Sequence, residues 1–171
     1  MSIVPSPASL QVALVQFNAT VGDLDGNARR IAERARTAHA RGARLVVTPE
    51  LSLTGYPPED LLLRPAFLRA CDAALAACAA QLADLPDLQL VVGHPAALDT
   101  LGDVRTRSMA VQRQVNAVSV LQGGRMVGRY AKRELPNYQV FDERRYFVSG
   151  RDAGLAPCVI EAGGLRLGLL I

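Results

Sequence analysis

Leu45-Val-Val-Thr48-Pro-Glu50-Leu-Ser-Leu-Thr-Gly55-Tyr-Pro-Pro58 decides how this chain folds. Leu45 to Thr48 is a short run of apolar and β-branched residues, and it reads as a buried strand. Pro49 closes it, because proline cannot donate to a ladder and belongs at strand ends. A carboxylate, Glu50, follows at once, with Leu51 and Leu53 beside it. In α/β sheets, sites form outside the carboxyl ends of strands. A Glu desolvated by leucines at such a place suits general-base work. Taken alone, the same Glu also reads as a helix-capping or loop-pinning residue.

Working outward, Leu10 to Phe17 (LQVALVQF) predicts a largely buried first strand. Asn18 to Gly26 is a loop, and Asn27 is placed to cap a helix running to about Arg41. Its apolar positions Ala28, Ile31, Ala32, Ala35 and Ala38 keep helical spacing, and Gly42 stands where a C-terminal cap belongs. Pro65 to Ala83 predicts a second helix, with Phe67, Cys71, Leu75, Cys78 and Leu82 on one face. Leu88 to Gly93 is a third inner strand. Val115 to Leu121 and Met126 to Tyr130 flank Gln122-Gly123-Gly124-Arg125, a hairpin signal. Pro157 to Glu161 and Leu165 to Ile171 flank Ala162-Gly163-Gly164, a second hairpin. Alternating strands and helices followed by hairpins predict a mixed α/β sheet with helices on one face. The domain spans 10–171 after a short lead, 1–9. The last strand stops at its most apolar point, so the sequence reads as cut.

Composition narrows the function. The 171 residues are 50% hydrophobic and 20% charged, enough for one core and too apolar for disorder. No apolar run approaches the roughly 18–20 residues of a membrane span, and Met1 to Ser9 lacks the charged start of a signal peptide. The net charge of +3 is spread along the chain, and there is no Trp, which argues against a nucleic-acid platform. Three cysteines without a close pair make no disulfide framework, so a reducing cytoplasm is expected. They also lack metal spacing, and no metal site is expected. Cys71 and Cys78 read as core, and Cys158, opening a strand, as structural. His39 reads as solvated at a helix edge. His94, following a strand, reads as structural. No nucleophile elbow, phosphate loop or dinucleotide fingerprint is present.

Of 19 basic residues, 18 are Arg and one is Lys, Lys132. An ammonium is a compact point charge with a tunable pKa, which a guanidinium cannot copy. Lys132 lies in Tyr130-Ala-Lys-Arg-Glu-Leu-Pro-Asn-Tyr138-Gln-Val-Phe-Asp-Glu143-Arg-Arg-Tyr-Phe147. That segment holds three of the chain's four Tyr and two of its four Phe. It reads either as the lining of a pocket or as a solvated loop over packed aromatics.

The two segments together resemble the nitrilase, or carbon–nitrogen hydrolase, superfamily. PELSLTGYPPEDLL, LQGGR, YAKRELPNYQVFDERRYF and GLRLGLLI are similar, in that order, to the glutaminase domains of the glutamine-dependent NAD synthetase family. The resemblance runs from Val12 to Ile171. It implies a four-layer α–β–β–α sandwich, incomplete here, and an amide hydrolase using Glu, Lys and Cys. By position it implies Glu50 as general base, Lys132 as cationic partner of the oxyanion and Tyr138 as a contact of bound glutamine. Tyr56 and Glu143 match other pocket positions. The family nucleophile follows a GLLI-type strand, and none of Cys71, Cys78 and Cys158 matches it. The resemblance further implies glutamine as substrate, a synthetase domain as partner, association as a homo-oligomer, and ATP with Mg²⁺ in that other domain rather than any cofactor here. The 171 residues by themselves are then expected to be inactive. A stand-alone amidase on another small amide and a non-catalytic scaffold are the alternatives.

Overall fold

A computed structural model describes residues 9–98 and 114–171. Most of the lead at 1–9 lies outside them. Five strands form one sheet in chain order: β1 (Val12–Leu14), β2 (Leu45–Val47), β3 (Gln89–Ala97), β4 (Gln114–Gln122) and β5 (Arg125–Ala131). The first three are parallel, in the register Val12↔Leu45 and Val46↔Leu90. Parallel neighbours need a crossover, and α1 (Leu24–Ala40) and α2 (Pro65–Ala80) supply the two crossovers. From β3 onward the pairing is antiparallel, with His94 opposite Ala117 and Val118 opposite Tyr130. The expected Gly123-Gly124 turn joins β4 to β5, both glycines at positive φ (56° and 79°), as a two-residue hairpin requires. A separate two-stranded ribbon holds β6 (Val159–Ala162) and β7 (Leu165–Gly168).

The sheet is covered on both faces. On one, Ile31, Ala35, Cys71, Leu75 and Cys78 of the two long helices bury Val46, Leu90 and Val92. On the other, Ile160 of the ribbon packs with Leu45, Val91, Val118, Val120 and Tyr130. Helix, sheet and ribbon are three successive layers, α–β–β, of the four expected. Fully burying each of these aliphatic side chains contributes about 1.5–3 kcal/mol.

Several boundaries differ from the sequence reading. Asp23, not Asn27, caps α1, its side chain accepting from Gly26 N at 3.0 Å. Asn27 is buried inside the first turn instead. Its Nδ2 donates to Thr20 O at 2.8 Å and Leu53 O at 3.1 Å, tying the helix start to the loop after β2. α2 ends at Ala80, three residues early, where Leu82 N turns back to Ala79 O. β1 is shorter than expected and is not largely buried: Leu14 is 76% and Val12 45% exposed. It is the edge of the sheet. β3 runs on through His94, which is inside the strand and not after it. His39 is not merely solvated, because the turn before β3 brings Asp87 Oδ1 within 2.9 Å of its Nε2.

Candidate active site

The segment after β2 is held on β3 by backbone bonds that continue the parallel ladder. Thr48 N donates to Val91 O at 3.0 Å, and Leu53 N donates to Gly93 O at 3.1 Å. Between them the chain loops out and back, with Ser52 N on Pro49 O, Thr54 N on Leu51 O, and the Thr48 and Ser52 hydroxyls 2.7 Å apart. Leu51 and Leu53 are buried in opposite directions, one against Leu62, Leu135 and Phe147, the other in the helix-side core. Those two anchors fix the backbone around Glu50. Gly93 is required beneath it: a Cβ there would lie 2.4 Å from Pro49 O and 2.6 Å from Leu51 N.

Lys132 follows directly on β5. Its N–H donates to Asn116 O at 2.8 Å, and its carbonyl accepts from Gly150 N at 2.8 Å. The side chain is 8% exposed, and Nζ lies 2.8 Å from Glu50 Oε1 and 2.8 Å from Glu143 Oε1. Glu143 opens the short helix α3 (Glu143–Tyr146) and its N–H donates to Pro136 O. Asn116 Nδ2 of β4 reaches the same Glu50 Oε1 at 2.5 Å. Three elements and a loop, distant in sequence, thus meet at the Glu50–Lys132 pair.

The charges set one another. Burial alone would lower the Lys132 pKa, but its hydrogen bonds to Glu143 and Glu50 outweigh that and leave it raised. Lys132 is therefore held as a cation by its two carboxylates. Glu143 goes the other way: burial raises its pKa, the Lys132 hydrogen bond opposes this, and the Glu50 charge adds to the rise. The Tyr56 phenol is also raised, first by burial and then by Glu50 and Glu143. An ammonium has three N–H donors. Two are taken by Glu50 and Glu143, which leaves one for a developing oxyanion.

Two cavities flank the cluster. One of about 330 Å³ is lined by Tyr56, Leu62, Asn116, Phe141 and Glu143 among others. The other, about 540 Å³, lies between sheet and ribbon and is lined by Thr48, Glu50, Val118, Leu169 and Ile171 among others. The sequence-derived set is therefore brought together at Glu50, Lys132 and Glu143, with Tyr56 on the cavity wall. Tyr138 stands apart, 63% exposed and edge-on to Phe141 with ring centroids 5.8 Å apart. Asn116 escaped the sequence reading, although an amide in the apolar run VNAVSVL was its signal. Cys71 and Cys78 lie in the helix-side core, as expected, and burial pushes both thiols up to about 12. Cys158 packs in the layer between sheet and ribbon. Among the described residues, no group of three or more His, Cys, Asp or Glu is arranged to hold a metal, and no helix is long and apolar enough to cross a membrane.

Residues 11–171 match the carbon–nitrogen hydrolase family. The chain belongs to that family. It is 43% identical over 164 residues to a glutamine-dependent NAD(+) synthetase of Xanthomonas campestris pv. campestris. That match covers 95% of this chain and 27% of the relative. In three dimensions it is similar to the glutamine-dependent NAD+ synthetase of Acinetobacter baumannii, whose structure is a complex with ADP. The TM-score is 0.73 at 36% identity, over 93% of this chain and 27% of that one. An amidase from Nesterenkonia sp. shares the fold at 24% identity, with a TM-score of 0.72 over 99% of this chain and 57% of its own. The chain therefore spans about 27% of the length of the synthetase from Xanthomonas.

Proposed function

We propose that this chain is the glutamine-hydrolysing unit of a glutamine-dependent NAD synthetase. The observation that carries the reading is Lys132 Nζ, buried and held 2.8 Å from both Glu50 and Glu143, with a donor to spare. The likeness to synthetases over nearly the whole chain supports glutamine over other amides.

The chemistry follows from the residue types. Glu50 takes the proton of a thiol, and the thiolate attacks the glutamine amide carbon. Lys132 holds the oxyanion of the tetrahedral adduct. The C–N bond then breaks, and ammonia leaves with the proton that Glu50 returns. Glu50 next takes a proton from water, which attacks the thioester; the C–S bond breaks, the leaving sulfur takes that proton back from Glu50, and glutamate is released. None of the three cysteines in the chain sits on the Glu50–Lys132 cluster, so the thiol is assigned to sequence beyond Ile171. Leu169 to Ile171 lie along the cavity that Glu50 lines. Ammonia would then amidate deamido-NAD in the synthetase portion of the longer protein. ATP and Mg²⁺ would be used in that portion.

Glu50→Gln in the full natural gene product tests this. The swap keeps the shape and removes the proton acceptor. Glutamine-supported NAD formation should be lost and ammonia-supported formation kept. Normal ammonia release from glutamine by this variant would make Glu50 a loop-pinning residue. Hydrolysis of small aliphatic amides but not glutamine by the unaltered protein would favour the stand-alone amidase.

A further inference from the structure

We propose that Asn116 is a positioning residue for Glu50, fixing which carboxylate oxygen is the base. The inference rests on reading Glu50 as that base. Asn116 continues the β4 row of Val120 and Val118 that faces the ribbon, yet it is an amide, 1% exposed. A buried amide at an apolar row position costs free energy unless it is hydrogen-bonded. Only half of this one is bonded: Nδ2 donates to Glu50 Oε1, and Oδ1 is buried with no partner among the described residues. An ionised carboxylate only accepts, so the NH₂ side must face Glu50. The amide is thus held for what Nδ2 does, even at the cost of an orphaned Oδ1.

Its effect falls on one oxygen. Glu50 Oε1 takes both Asn116 Nδ2 and Lys132 Nζ. Oε2 takes no donor among the described residues. Two donors on Oε1, arriving from β4 and from the end of β5, stop the carboxylate from turning. Oε2 is left as the free basic atom, on a carboxylate that lines the cavity along Leu169 to Ile171. Without Asn116, Lys132 alone would hold Oε1, and the carboxylate could rotate about that single bond. A misplacement of about 1 Å at a reacting group costs on the order of 100-fold in rate.

The groups facing Glu50 are Lys132 from the end of β5, Glu143 from α3, Tyr56 from its own loop and Asn116 from β4. Asn116→Asp keeps the shape and sets a second carboxylate against Glu50, which disfavours the ionised form. In the full natural gene product, the acid limb of kcat for glutamine hydrolysis should move to higher pH. Asn116→Ala should lower kcat by about 10–100-fold with KM for glutamine unchanged. Titration of the Glu50 carboxyl by ¹³C NMR, assigned against Glu50→Gln, gives a readout that needs no turnover. Its midpoint should rise in Asn116→Asp. If Asn116→Ala fails to fold, the isosteric Asn116→Asp carries the test. An unmoved Glu50 midpoint in Asn116→Asp overturns the proposal, as does unchanged kcat in a folded Asn116→Ala. If the unaltered protein releases no ammonia from glutamine, the glutaminase reading fails, while the carboxyl titration still decides the role of Asn116.

Discussion

Lys132 is the residue on which the proposed mechanism depends, because holding an oxyanion beside two carboxylates calls for a compact ammonium. Lys132→Arg should abolish glutamine-supported activity of the natural gene product and spare ammonia-supported synthesis. The flat guanidinium pairs with a carboxylate but displaces the oxyanion, and losing one such donor costs about 2.7–4 kcal/mol in the barrier. A steady-state assay with glutamine and then with ammonium chloride checks this. Unchanged glutaminase turnover would remove Lys132 from the mechanism. A second titratable residue, His94, acts on stability instead. Its Nε2 lies 2.7 Å from Ser119 Oγ, and Ser119 Oγ also accepts from Arg129 Nε. Burial first, and then the Arg129 charge, lower its pKa from 6.5 to about 3. The unfolded chain therefore binds a proton below 6.5 that the folded chain refuses. The stability this neutral His contributes is present above 6.5 and lost as pH falls toward 3, by roughly 1.4 kcal/mol per pH unit. Urea midpoints between pH 7 and 4 should fall less steeply in His94→Gln than in the unaltered chain. Parallel slopes would show that His94 is not the group responsible.

At the scale of elements, the site depends on how β3 receives the loop from β2. Gly93 is the contact, because any side chain there meets Pro49 O and Leu51 N at under 3 Å. Gly93→Ala should displace the Glu50 loop, lowering thermal stability by about 1–3 kcal/mol, typical of overpacking. Glutamine hydrolysis should fall further than the stability loss explains. Calorimetry and an ammonia assay on the same sample separate the two, and a variant with full activity would show that the loop does not need this contact. The sequence predicts Glu50 because a carboxylate after a buried strand is a local signal. It predicts Lys132 because the residue is alone among arginines. Gly93 carries no such local mark, and the amide of Asn116 in an apolar run does not say which group it faces. Their roles arise where β2, β3, β4 and β5 are adjacent, and adjacency is a tertiary property. The same reason explains the elements. The helices and hairpins follow from periodicity and Gly-Gly turns. The exposure of β1 was misread because apolar content does not say which strand is the edge. The Asn27 cap was misplaced because Asp23, four residues earlier, competes for the same work and wins, freeing the amide to bond Leu53 O.

At the scale of the molecule, the sheet is unevenly covered. The ribbon shields Val91, Val118 and Val120, while Leu14 and Leu170 are 76% and 85% exposed. Exposed apolar side chains of this sort favour association. The 171-residue polypeptide alone should bind a hydrophobic dye and self-associate on size exclusion, and a dye-silent monomer would mean the face is otherwise satisfied. The same polypeptide should also release no ammonia from glutamine above a buffer blank. Glu50 and Lys132 can polarise an amide, but thioester formation needs a thiol within reach of both. Cys71 and Cys78 lie on the helix side of the sheet, with thiols pushed up to about 12, so they offer almost no thiolate at neutral pH. Cys158 faces Gly128 and Val120 across the layer between sheet and ribbon and does not line the Glu50 cavity. Where a nucleophile is absent, what remains is residual catalysis from binding and the oxyanion donor. On the proposed reading, a longer gene product that supplies the thiol should turn glutamine over. Clear ammonia release by the 171 residues alone would place the nucleophile among the three cysteines, and Cys158→Ser would then identify it by abolishing that release.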